Sequence, residues 1–179
     1  MAFGASCSST GTMILAATLL TAGAISPARA AVDDCGKFDA ASAATVLGVP
    51  KARANPSGGH HKLSPNNMDV IGCSYVEATP DPQARSLIIN VYTPIAKDLA
   101  SQFAGVSNEN VPGKPQNFSP GVGSASSGWV RLSANGETYD GTIRVLRASD
   151  FLVIKVGGMK SADEAKAALI RAGKLLTTP

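Results

Sequence analysis

Apolar residues recur at helical spacing in three stretches of the chain and at every second position in five others. In "FDAASAATVLGVP", Ala40, Ala43, Ala44 and Leu47 fall at i, i+3, i+4 and i+7, Asp39 precedes them as a cap, and Gly48 with Pro50 ends the run. In "TPIAKDLASQFAG", Thr93 is placed to cap, Pro94 to occupy the first turn, and Ile95, Leu99 and Phe103 to form a stripe ending at Gly105. In "SADEAKAALIRAGKLL", Ser161 and Glu164 have capping-box spacing, Asp163 and Glu164 meet the positive helix end, and Ala165, Ala168, Leu169, Ala172 and Leu176 share one face.

The alternating stretches read as strands. "VIGCSYVEA" puts Ile71, Cys73 and Tyr75 on one side, and "SLIINVYT" does the same with Leu87, Ile89 and Val91. "WVRLSA", "GTIRVLRA" and "FLVIKVG" follow, separated by the turn formers Asn135-Gly136 and Ser149-Asp150. The expected order is α-β-β-α-β-β-β-α. Short connections between strands then imply an α+β fold, an antiparallel sheet of about five strands with three helices against one face. Residues 51–69 and 107–128, rich in Gly, Pro, Asn and Ser, remain unassigned, and long loops of that kind are where sites concentrate.

A different pattern occupies the first thirty residues. Met13 to Ile25 is an unbroken run with no charge, reaching roughly 20 Å as a helix against a hydrocarbon core of roughly 30 Å. Pro27 and the small residues of Ala28-Arg29-Ala30 follow it, as they follow a secretory h-region, although no Lys or Arg precedes the run. Residues 1–30 are therefore expected to be a signal peptide and residues 31–179 a single exported domain. Cys35 follows Val32-Asp33-Asp34 and Cys7 precedes the apolar run, so neither sits in a lipoprotein signal. The expectation is a secreted or periplasmic protein with no membrane insertion after signal cleavage.

Export changes the reading of the cysteines. Cys7 leaves with the signal, and Cys35 and Cys73 remain as an even pair in an oxidising compartment, which favours a disulfide. Closing its 39-residue loop is worth about 3 to 4 kcal/mol by chain entropy. No CxxC pair is present, which disfavours a metal or redox role.

Composition adds exclusions. Once Arg29 departs, 15 Lys plus Arg face 13 Asp plus Glu, a net charge of +2 with the basic residues scattered singly. That balance argues against a nucleic-acid partner and against an anionic membrane surface.

Cys35, a short helix ending at Leu47-Gly48, a polar loop and then Cys73-Ser74-Tyr75 together resemble a family of small exported actinobacterial domains of unknown function, many of them lipoproteins. "SPGVGSAS" at residues 119–126, the hairpins after it and the closing alanine-rich helix fit the same family. The resemblance covers most of the chain after the signal. It implies a fold and an extracytoplasmic location but no chemistry, and the missing lipoprotein signal departs from many members. One loop, "SANGETY" at residues 133–139, also resembles the Ser, Gly and Tyr loop with which some periplasmic lysozyme inhibitors plug an active site, though those inhibitors are all-β barrels.

Candidate chemistry is sparse. His60 and His61, with Met68 and Asp69 nearby, are the available histidines for copper, zinc or a Ser-His-acid triad, but no G-x-S-x-G surrounds any serine and a Gly-rich loop is poorly preorganised. "GVGSASSGW" has the glycine interval of a phosphate loop, yet Trp129 stands where that motif needs Lys. Trp129 and Tyr139 are candidate aromatic anchors for a ligand or partner. The expected function is an exported, non-catalytic binding or accessory domain without cofactor or metal, its partner an unknown protein or small-molecule ligand. The alternatives are an inhibitor of a cell-wall hydrolase and a small hydrolase or metal-binding protein using His60 and His61.

Overall fold

A computed structural model describes residues 38–63, 68–95, 98–106 and 114–178, with backbone placement alone for 56–63 and 105–106. The proposed signal peptide, Cys7 and Cys35 lie outside the described residues. The elements run α1 (Ala40–Leu47), β1 (Ala52–Leu63), β2 (Met68–Glu77), β3 (Ser86–Pro94), α2 (Leu99–Val106), β4 (Gln116–Phe118), β5 (Ala125–Leu132), β6 (Tyr139–Leu146), β7 (Phe151–Met159) and α3 (Ala162–Thr177). The class is α+β, with an antiparallel sheet and three helices among the described residues.

The sheet has seven strands, ordered β1-β2-β3-β7-β6-β5-β4, and not the expected five. Each of the two stretches left unassigned contributes one of the additional strands. β1, "ARANPSGGHHKL", carries Pro and two Gly, which weaken a strand signal; it forms at the sheet's edge because β2 supplies a partner, and a register shift between Asn55 and Gly59 absorbs the Pro-Ser-Gly insertion. β4 is three residues long, too short for any periodicity to register, and is held by pairing Gln116 to Phe118 against Val130 to Gly128. Two meanders, β1-β2-β3 and β4-β5-β6-β7, are joined by the antiparallel β3–β7 pair, with Ile89 opposite Ile154.

Helices lie on both faces of the sheet. On the first face, α1 and α3 cover Cys73, Tyr75, Leu87, Ile89, Val130, Ile143, Val145, Leu152, Ile154 and Val156, which alternate along their strands and form the main core. On the second face, Leu99 and Phe103 of α2 pack against Met68, Phe151 and Val153. This corrects the expectation that all helices share one face. The Phe151 ring stacks on Tyr92 at 4.8 Å and meets Phe103 edge-on at 5.8 Å, so an aromatic cluster of its own seats α2.

Local signals act where they are strongest. Asp39 accepts a 2.7 Å hydrogen bond from Ser42 N at the start of α1, which holds its carboxyl below the ordinary carboxylate value. Gly48 closes the helix at φ +65, where a side chain would be strained. Ser161 caps α3 by accepting from Glu164 N, while the Glu164 carboxylate reaches back to Lys160 N, one residue before the usual box partner. α2 begins later than its sequence suggested: β3 continues through Pro94, paired with Met68, and Asp98 rather than Thr93 caps the helix. Ile95, expected in the stripe, is 53% exposed.

Candidate functional site

The second face is where the polar chemistry of the sheet gathers. Gly141, Ile143 and Val145 of β6 point into the main core, so Thr142 and Arg144 between them point the other way. Both are nearly sealed from solvent, at 2% and 5% exposure. A buried guanidinium at the centre of a sheet is costly unless engaged, and Arg144 makes an interaction of its own.

Register sets the neighbours. Trp129 lies opposite Thr142, Thr142 opposite Lys155, and Lys155 opposite Ile88, so these four residues form one row across β5, β6, β7 and β3. At about 4.8 Å between strands, Trp129 and Lys155 sit roughly 10 Å apart with Thr142 between them. Two residues along β5 from Trp129, the Arg131 guanidinium lies 5.5 Å from the centre of the indole ring. The indole Nε1 is shielded from water and finds no acceptor among the described residues. Lys155 is half-buried and forms no ion pair among them.

Among the described residues, charge on the strands of this face is mainly basic. Its strands carry Arg53, Arg131, Arg144 and Lys155 against Asp140, which sits opposite Arg131. The α1–α3 side, by contrast, pairs its charges: Arg85 with Glu164, Arg147 with Asp150 and Lys166 with Asp163. Among the described residues the strands of this face thus carry more basic than acidic side chains, and Arg131 and Arg144 each make an interaction of their own.

The residues singled out in the sequence do not converge. Trp129 is on the second face, whereas Tyr139, at the start of β6, packs against the main core on the first. His60 and His61 lie in edge strand β1, opposite Ile71 and Val70, and not in a loop as expected. Four strands separate β1 from β5, roughly 24 Å across the sheet, so the histidines and Trp129 do not share a site. Among the described residues, no three His, Cys, Asp or Glu side chains gather as a metal site.

The loop at residues 133–138 is held by its own bonds. Ser133 Oγ contacts Asn135 Oδ1 and Thr138 Oγ1, and Gly136 N donates to Ser133 O at 3.0 Å. The Gln83 amide donates to Glu137. Cys73 is buried on β2 beneath α1, and the Cys35 half of the expected disulfide lies outside the described residues.

Thr142, Arg144 and Lys155 were not singled out from the sequence. Their signal was the polar phase of "GTIRVLRA" and "FLVIKVG", which reads as an ordinary solvated strand face until the strand order is known.

Fold and site together define a one-sheet α+β domain with helices on both faces and a basic, Trp-containing row on the half of the second face that lies beyond α2. No protein-family model matches the chain, and no curated protein matches it.

Proposed function

We propose that the protein is an exported, non-catalytic binding or accessory domain of the cell envelope or extracellular space, and that its binding surface is the second face of the sheet around Trp129. The observation that carries this reading is the row Trp129, Thr142, Lys155, Ile88, which sets a partly exposed indole, an ammonium with no ion pair among the described residues and the exposed Ile88 side by side across neighbouring strands of a rigid sheet. A sheet centre holds its side chains in place more firmly than a loop does, and this preorganisation lowers the entropy cost of binding.

Export is supported by the apolar run, Pro27 and Ala28-Arg29-Ala30 in the sequence, and by the resemblance to small exported actinobacterial domains. Among the described residues no helix is long and apolar enough to cross a membrane. The proposal includes cleavage after Ala30 and a Cys35–Cys73 disulfide linking the segment before α1 to β2. Intact-mass measurement of the exported protein should return a chain beginning at Ala31, two mass units lighter than the dithiol and without lipid. A diacylglycerol adduct would remove the lipid-free part of the reading.

The enzymatic alternative is tested separately. His60→Ala and His61→Ala variants should behave as the parent in a hydrolase panel and in calorimetry with zinc and copper. Turnover, or one-to-one metal binding lost with both rings, would replace binding by catalysis or metal capture.

A further inference from the structure

The chain holds one Asn-Gly pair, Asn135-Gly136, and one Asp-Gly pair, Asp140-Gly141. In both, the side-chain carbonyl carbon Cγ lies within a five-membered ring of the next amide nitrogen, and glycine sets no side chain in the way of its attack. The fold separates them. Gly141 is buried in β6, where even a Cβ would lie 2.8 Å from Leu169 Cδ1, so water has no room to reach its amide. Asn135 and Gly136 are exposed at the tip of the β5–β6 connection, and a Cβ on Gly136 would meet nothing within 4 Å.

The turn also prepares the asparagine for reaction. Asn135 Oδ1 accepts from Glu137 N at 3.0 Å and contacts Ser133 Oγ, which lies 3.0 Å from Thr138 Oγ1. One arrangement of protons satisfies all three contacts: the Thr138 hydroxyl donates to Ser133 Oγ, and the Ser133 hydroxyl donates to Asn135 Oδ1. Two donors then converge on the carboxamide oxygen, drawing electron density from Cγ and waiting where negative charge develops when Cγ is attacked. A single contact works the other way, since Gly136 N donates to Ser133 O at 3.0 Å and that bond must open before the amide proton leaves.

We propose that Asn135-Gly136 is a self-modification site of the folded domain, at which Asn135 deamidates through a succinimide with Glu137 N–H and the Ser133 hydroxyl holding the oxyanion. Hydroxide takes the Gly136 amide proton, and the nitrogen's electron pair forms a bond to Asn135 Cγ while the carbonyl pair moves onto Oδ1. Collapse of this intermediate breaks the bond from Cγ to Nδ2, and the nitrogen takes a proton from water and leaves as ammonia. Water then adds to either imide carbonyl and reopens the ring, leaving aspartate or isoaspartate at position 135. The sum is one water consumed and one ammonia released.

Either product adds a negative charge two residues from Glu137. Aspartate keeps both acceptor positions of the turn. Isoaspartate routes the main chain through the former side chain, lengthening it by one methylene between positions 135 and 136, and so breaks the turn bond to Ser133 O and displaces Glu137 from the Gln83 amide.

Incubation of the exported protein at mildly alkaline pH, followed by intact mass and peptide mapping, tests the site. The chain should gain one mass unit at position 135 before any other asparagine reacts, isoaspartyl methyltransferase should label part of the product, and Asn135→Asp should abolish the gain. A donor on an exposed turn counts for less than one in a closed active site, so Ser133→Ala should slow the conversion about threefold to tenfold. Circular dichroism identifies a variant that fails to fold, and Thr138→Val, which removes the donor to Ser133 Oγ, then replaces it. Earlier reaction at another asparagine, or no gain at position 135, would overturn the site. A rate in the hydroxyl variant equal to or above the parent's would overturn the role of the turn. None of these outcomes bears on the second face of the sheet as the binding surface.

Discussion

Arg85 and Glu164 join the two helices of the main core. Arg85 Nη2 lies 2.6 Å from Glu164 Oε1 at the start of α3, and Arg85 Nη1 donates to Leu47 O at 2.6 Å and Gly48 O at 3.3 Å at the end of α1. One side chain from the segment before β3 thus satisfies carbonyls that a helix end leaves without partners and balances a carboxylate near the positive end of another helix. Arg171 adds a second link from α3, donating to Val46 O at 2.6 Å.

Arg85→Met should therefore lower stability by about 1.5 to 3 kcal/mol, because it strands both carbonyls and the carboxylate. Glu164→Gln should cost less, since an amide oxygen still accepts from Lys160 N. Urea unfolding of both variants checks the order, and equal losses would show that the ion pair rather than the helix cap dominates.

The Tyr75 hydroxyl donates to Phe38 O at 2.6 Å, and the two rings meet at 5.6 Å, anchoring the chain just before α1. Burial first, and the Asp39 carboxylate second, push the Tyr75 phenol above its ordinary value of 10.0. The folded state thus holds the proton more tightly than the unfolded state. Stability is fully present below about pH 10 and is lost as pH rises from there through the folded value. Tyr75→Phe should cost about 1 to 2 kcal/mol at neutral pH and should flatten that alkaline decline. A decline that persists unchanged in Tyr75→Phe would assign it to another group.

If Cys35 and Cys73 are bonded as proposed, the exported protein should titrate no free thiol. The double variant Cys35→Ser with Cys73→Ser should then lose about 2 to 5 kcal/mol. Hydrogen exchange should rise first at the start of α1, since the far end of that helix is still held by Arg85 and Arg171, and last in α3. Two free thiols in the oxidised protein would defeat the pairing, and coincident melting of bonded and reduced forms would defeat its structural role.

Gly141 lets α3 sit close to β6. A Cβ there would lie 2.8 Å from Leu169 Cδ1, 2.9 Å from Val130 Cγ1 and 3.1 Å from Trp129 O. Gly141→Val should consequently destabilise the fold by about 1 to 3 kcal/mol through overpacking. A variant that melts with the parent would mean that α3 shifts without cost.

Chemistry confined to a few neighbouring residues was legible in the chain itself. Asp39 and Gly48 bound α1, Ser161 and Glu164 start α3, and the alternation of Leu87, Ile89 and Val91 marks a core-facing strand, because capping and side-chain direction depend on positions four or fewer apart. What depends on distant partners was not legible. β1 exists because β2 stabilises a strand containing Pro and Gly, and α2 lies on the second face because Phe103 finds Phe151, almost fifty residues later. The site belongs to this second kind. Lys155 stands between Ile88 and Thr142 only because β7 inserts between β3 and β6, a pairing between two separate meanders that no local periodicity encodes. The sequence alone determined that Thr142 and Arg144 of β6 and Lys155 of β7 interrupt apolar strands at core-opposed positions; the tertiary structure decided that Thr142 and Lys155 stand in one row with Trp129, since strand register and order are set by packing across the whole sheet.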